Sequence, residues 1–154
     1  MVKRNTYIYI RTMEVALEDD IISRDEYKIL QIIRNHLKIS GKMEEEIELK
    51  LRSKNVLKIT PEEEKKLINS GDKDEDIKLY RKAVMQSLAD FTVTQDEFKL
   101  LEGLRQVLGI TEAEHVEIEK KIRDEIERNY SAPTAEKIYD RLATYLKMVK
   151  KHFI

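Results

Sequence analysis

The chain matches itself. Shifted by 71 positions, Tyr9–Leu51 lies over Tyr80–Ile122 without a gap, and about a third of the paired residues are identical. The identities include Tyr9/Tyr80, Leu17/Leu88, Asp25/Asp96, Glu26/Glu97, Leu30/Leu101, Arg34/Arg105 and Ile47/Ile118. A register held that long marks a duplicated unit, and whatever one copy folds into, the other is expected to repeat. Within each copy the apolar residues recur at spacings of three and four: Tyr27, Leu30, Ile33 and Leu37 in one, Phe98, Leu101, Leu104 and Leu108 in the other. That is a helical stripe, not the alternation of a strand. Upstream, Tyr9, Met13, Ala16 and Leu17 pair with Tyr80, Val84, Ser87 and Leu88, and downstream Ile47 and Leu51 pair with Ile118 and Ile122. Each copy therefore reads as three helices.

Helix starts are signalled by capping boxes, in which a Ser or Thr side chain accepts an amide from the first turn and a Glu three residues on reaches back. Ser23…Glu26, Thr94…Glu97 and Thr111…Glu114 fit. Thr60-Pro61-Glu62-Glu63 opens a short helix between the copies, with Gly71 placed to end it, and Thr134 after Pro133 is expected to cap a last helix. The stretch Thr6–Thr12 is rich in strand-favouring residues, yet its partner around Asp76–Leu88 has an ordinary helical pattern, which assigns it to a helix. The expected architecture is an all-α single domain, residues 1–154, of about eight helices: two pseudo-symmetric three-helix repeats (7–53 and 74–129), a linking helix (60–71) and a C-terminal helix (134–152).

Charge and residue usage exclude several functions. The 29 basic and 30 acidic side chains nearly cancel, so no bulk charge drives the protein to a polyanion. With no Cys there is no disulfide, thiolate nucleophile or zinc-thiolate site. No apolar run approaches the roughly 20 residues of a membrane span, and Tyr7–Ile10 is too short for a signal core, so the expected location is the cytoplasm. The three histidines, His36, His115 and His152, have no metal-ligand spacing. Pairing with Val107 turns His36 toward the core, and pairing with Glu44 turns His115 toward solvent. There is no serine elbow and no glycine-rich phosphate loop, so no enzymatic activity is expected.

Both copies carry Asp-x-x-[Ile/Val]-[Ser/Thr]-x-Asp-Glu, at Asp19–Glu26 and Asp90–Glu97. It resembles the second half of an EF-hand loop whose first half is missing: Val15 and Leu17, or Gln86 and Leu88, stand where oxygen ligands are required. Capping accounts for the same residues. The pair of elbows, Glu18-Asp19-Asp20-Ile21-Ile22-Ser23-Arg24-Asp25-Glu26 and Ala89-Asp90-Phe91-Thr92-Val93-Thr94-Gln95-Asp96-Glu97, also resembles the repeated elbow of the TerB-like, tellurite-resistance-associated helical family, although the family glycine is absent from both. That resemblance implies an all-α, stress-linked binding module.

The function expected from the sequence is a non-enzymatic helical module that binds a protein partner or a second copy of itself, with no cofactor. The C-terminal helix offers the contact surface, pairing an apolar stripe (Ile138, Leu142, Tyr145, Val149) with a cationic margin (Arg141, Lys147, Lys150, Lys151). The rival role for that stripe is to cover the open end of the bundle. Two alternatives use other residues: a protein responsive to calcium or magnesium through Asp19, Asp20, Glu26, Asp90, Asp96 and Glu97, and a nucleic-acid-associated protein using the basic C-terminal helix, which the balanced charge disfavours.

Overall fold

The computed structural model describes residues 3–55, 57–89 and 93–153, and the described residues form eight α-helices and no strand. These are α1 (Arg4–Ala16), α2 (Arg24–Leu37), α3 (Gly41–Arg52), α4 (Pro61–Asn69), α5 (Lys73–Ala89), α6 (Gln95–Val107), α7 (Glu112–Asn129) and α8 (Ala132–His152). The centre is built from four of them: α1 lies most extensively against α6, α5 against α2, and α1 and α5 also pack on α2 and α6 respectively. On the flanks, α3 and α4 lie against α1, while α7 and α8 lie against α5. One contiguous apolar core runs through all of them.

The strand-favouring start of the chain is helical because tertiary burial overrides propensity. Tyr7, Ile8, Tyr9, Thr12, Met13 and Ala16 are all buried, which is most of the circumference of α1. A helix that apolar on most sides is stable only when surrounded, and α1 has α2, α3, α4 and α6 around it.

Local structure agrees with the sequence at the caps. All three boxes form with reciprocal bonds, at Ser23/Glu26, Thr94/Glu97 and Thr111/Glu114. Thr60 Oγ1 accepts the Glu63 amide at 3.1 Å with Pro61 as the first helical residue. Thr134 does not cap α8: the helix begins at Ala132 behind Ser131, and Pro133 sits in its first turn, where a missing N–H costs nothing. Gly71 lies beyond the end of α4, and its role is spatial. A Cβ there would sit 2.1 Å from Arg4 Cζ, so only glycine lets the Arg4 guanidinium lie against this backbone.

Residues 71 apart also end helices alike. Lys38 and Gly109 both adopt the left-handed conformation, at φ 59° and φ 65°. Behind them the Ile39 amide donates to Arg34 O at 3.0 Å and the Ile110 amide to Arg105 O at 3.2 Å, the wrapping bond that closes a helix C-terminus. A left-handed non-glycine residue is strained by roughly 1–2 kcal/mol. Lys38→Gly is therefore expected to raise stability by up to about 1 kcal/mol after the entropy cost of glycine. Gly109→Ala should lower it, because its Cβ would also meet Ile68 Cγ2 at 2.7 Å. Urea midpoints of the two variants read both signs, and a destabilised Lys38→Gly would contradict this view of the helix end.

Candidate functional site

The acidic elbows use their oxygens locally. Glu26 Oε1 accepts the Ser23 amide at 3.0 Å while Ser23 Oγ accepts the Glu26 amide at 3.1 Å. Glu97 is fully buried and takes three donors: the Thr94 amide at 3.1 Å, Thr94 Oγ1 at 3.2 Å and Ser87 Oγ at 2.9 Å. Burial pushes both carboxyls above the usual range; the amide donors oppose it, and the charges of Asp96 on Glu26 and Asp25 on Glu97 add to it. Asp19 Oδ1 accepts the Ile21 amide at 3.3 Å, and Asp20, left-handed at φ 64°, is 3.7 Å from Lys54. Asp96 is exposed, and Asp90 lies outside the described residues. Among the described residues no three His, Asp or Glu side chains converge on a common point. Ser23→Ala and Thr94→Ala are each expected to cost about 0.5–2 kcal/mol, equally in calcium, magnesium or chelator. A cation-dependent difference in melting temperature would return the elbows to the cation-responsive alternative.

The C-terminal helix departs from the expected docking role. Its stripe of Ile138, Leu142, Tyr145 and Val149 is buried within the chain itself, facing α5, α6 and α7, and so is not a surface. The rival role is the observed one. Beneath it lies a polar network that the sequence pattern does not reveal. Tyr80 Oη is hydrogen-bonded to His115 Nε2 at 2.9 Å and to Tyr145 Oη, with all three side chains buried. Beside them Arg105 donates to both oxygens of Glu102 at 2.9 Å and to Ile110 O at 3.2 Å, and the Phe153 ring covers the guanidinium at 4.3 Å. These groups join α5, α6, α7 and α8; Tyr80, Tyr145, Glu102 and Arg105 are buried, while His115 and Phe153 line the groove between α7 and α8.

His115 is thus inside, not at the surface, and the comparison with Glu44 has a different meaning. Glu44 Oε2 accepts a hydrogen bond from Tyr9 Oη at 3.1 Å, and 71 residues later Tyr80 bonds His115. The same pair of positions makes the same contact with different chemistry. His36 is partly buried, between Glu75 at 3.2 Å and Lys82 at 3.4 Å. Burial, aided by the charge of Arg105, lowers the basicity of His115, so the folded protein holds it neutral where an unfolded chain already protonates. The unfolded state then binds more protons below pH 6.5, and stability should fall as the pH drops from there toward the lower folded value. In His115→Gln that slope should flatten, leaving the part due to His36, which is shifted the same way. An unchanged pH profile of the melting temperature would contradict it.

The cationic margin is divided. Arg141 donates to Leu88 O at the end of α5, while Lys147, Lys150 and Lys151 are exposed. Lys147 and Lys150 line a groove whose opposite wall, on α7, carries Glu112 and Glu119. Two lysines of the cationic margin therefore share a groove with two acids of the same chain.

An open face lies elsewhere. In the second half α8 covers Phe98, whose ring meets Tyr145 at 6.0 Å and His152 at 5.2 Å, and Phe98 is 4% exposed. Its counterpart, Tyr27, is 51% exposed, so it does not complete the core stripe that its spacing predicts. Ile21, 70% exposed, stands beside it, and the two share a shallow groove with Glu48 and Arg52 of α3. The counterpart of Arg52 is Arg123, whose carbonyl accepts the Tyr139 hydroxyl of α8 at 3.2 Å. Among the described residues no helix takes beside α2 and α3 the place that α8 takes beside α6 and α7.

Comparisons with protein-family models, with curated proteins and with solved structures give no match. No helix of the described residues is long and apolar enough to cross a membrane.

Proposed function

We propose that the chain is a non-enzymatic, cytoplasmic helix-docking module, a duplicated three-helix unit akin to TerB-like proteins. Its first copy takes an amphipathic helix from a protein partner, or from a second copy of the chain, on the α2/α3 face. The contrast between Tyr27 at 51% exposure and Phe98 at 4% carries this reading. Equivalent positions of one duplicated unit differ because one copy has a helix over it and the other does not. An exposed tyrosine beside an exposed isoleucine, in a groove rimmed by Glu48 and Arg52, has the character of an anchor site for an amphipathic helix.

The chain supplies its own probe. A labelled peptide of residues 132–153 presents the α8 stripe, and it is expected to bind the intact protein saturably in fluorescence anisotropy. Tyr27→Glu should weaken that binding at least tenfold, whereas Leu49→Glu, on the outward side of α3 and 69% exposed, should leave it unchanged. Absence of binding, or equal binding by Tyr27→Glu, would overturn the proposal.

A further inference from the structure

A second concavity lies on the other side of α3, and its lining has the chemistry of a ligand site independent of the docking face. Ile10 of α1, Ile47 and Leu51 of α3, and Leu57 of the following segment form an apolar trough of about 590 Å³, within the volume range of small-molecule sites. Its rim carries Lys3, Lys50 and Lys58 against one acid, Glu46. The ammonium groups of these three lysines make no hydrogen bond or ion pair among the described residues, although the chain as a whole has a net charge of −1. The cationic rim is therefore local, and no carboxylate of the described residues pairs with it.

The second half shows that the fold does not require such a trough. Ile10 and Met43, at its wall and mouth, have Arg81 and Glu114 as counterparts, and Glu114 is 3.6 Å from Lys73. The counterparts of Ile47 and Leu51, Ile118 and Ile122, are sealed in the core. At Ile10 and Met43 the first half thus places apolar residues at the trough where the second half has charged ones.

From the apolar floor and the unneutralised lysine rim together, we infer that the α1/α3 trough binds a single-chain aliphatic amphiphile with an anionic head group. The chain would lie along Ile10, Ile47, Leu51 and Leu57, and the head would meet the lysines. Each flexible lysine stem adds apolar cover while its ammonium stays in water.

Titration calorimetry of the full chain with dodecanoate below its micelle concentration tests this. The expected result is saturable 1:1 binding that weakens as salt rises. Lys50→Glu/Lys58→Glu should bind at least tenfold more weakly while keeping the wild-type circular dichroism and melting temperature. Dodecyltrimethylammonium and butyrate should show no saturable binding, the first for want of an anion and the second for want of a chain. Tyr27→Glu should bind dodecanoate as wild type does, which separates this site from the docking face. Failure of dodecanoate to bind the folded protein would overturn the inference and leave the trough to another occupant, such as an acidic helix. So would indifference to head-group charge, or undiminished binding by the lysine variant.

Discussion

A chain ending at Ser131 is expected to lose cooperative unfolding altogether. The missing segment would remove Ala135, Ile138, Leu142, Tyr145 and Val149 from the core and uncover Tyr80, Phe98 and His115. Truncating one large buried side chain costs about 2–5 kcal/mol, and a domain has roughly 5–15 kcal/mol in total. Several such losses together exceed what the remaining helices can supply. A sigmoidal urea transition in the truncated chain, with the wild-type midpoint, would return the α8 stripe to the role of a docking surface.

The second large effect is expected at Arg4. Its guanidinium holds both oxygens of Asp76, at 2.9 and 2.7 Å, and donates to Leu67 O at 2.7 Å and Ile68 O at 3.2 Å. One side chain thus ties the start of α1 to the last turn of α4 and the first turn of α5. Arg4→Ala would leave Asp76, 5% exposed, charged and unpaired. Breaking such a pair costs about 3–5 kcal/mol. Replacing both partners, as in Arg4→Met/Asp76→Leu, should cost less than the single change, since no charge is then stranded. A double variant less stable than Arg4→Ala would contradict this account of the loss.

Helix number and type were legible because capping chemistry and apolar spacing are local. Ser23, Thr94 and Thr111 announce helix starts with no knowledge of what packs where. Burial is not local, and there the pattern misled. Tyr27 and Phe98 share a stripe position, and only the presence of α8 over one of them decides which is core. His115 paired with Glu44 suggested solvent, but both positions serve a tyrosine hydroxyl from the first helix of their own half. The Arg105–Glu102 pair gave no signal beyond an identity with Arg34, since an inward-turned ion pair at a spacing of three resembles the exposed ones that decorate any helix. For the same reason the α8 margin read as a free cationic edge, when Arg141 caps α5 and two of the lysines look across to Glu112 and Glu119.

We propose that the α2/α3 face of the first half is an unfilled copy of the seat of α8. The most direct test is the amide spectrum of the isotope-labelled full chain titrated with the unlabelled 132–153 peptide. Shifts confined to Ile21, Ile22, Tyr27, Glu48 and Arg52, with the resonances of Tyr80, Phe98 and Tyr145 unmoved, are the predicted result. Shifts centred on Tyr80, Phe98 and His115 would mean that the peptide displaces α8 from its own seat, and would contradict the claim, as would an unperturbed spectrum.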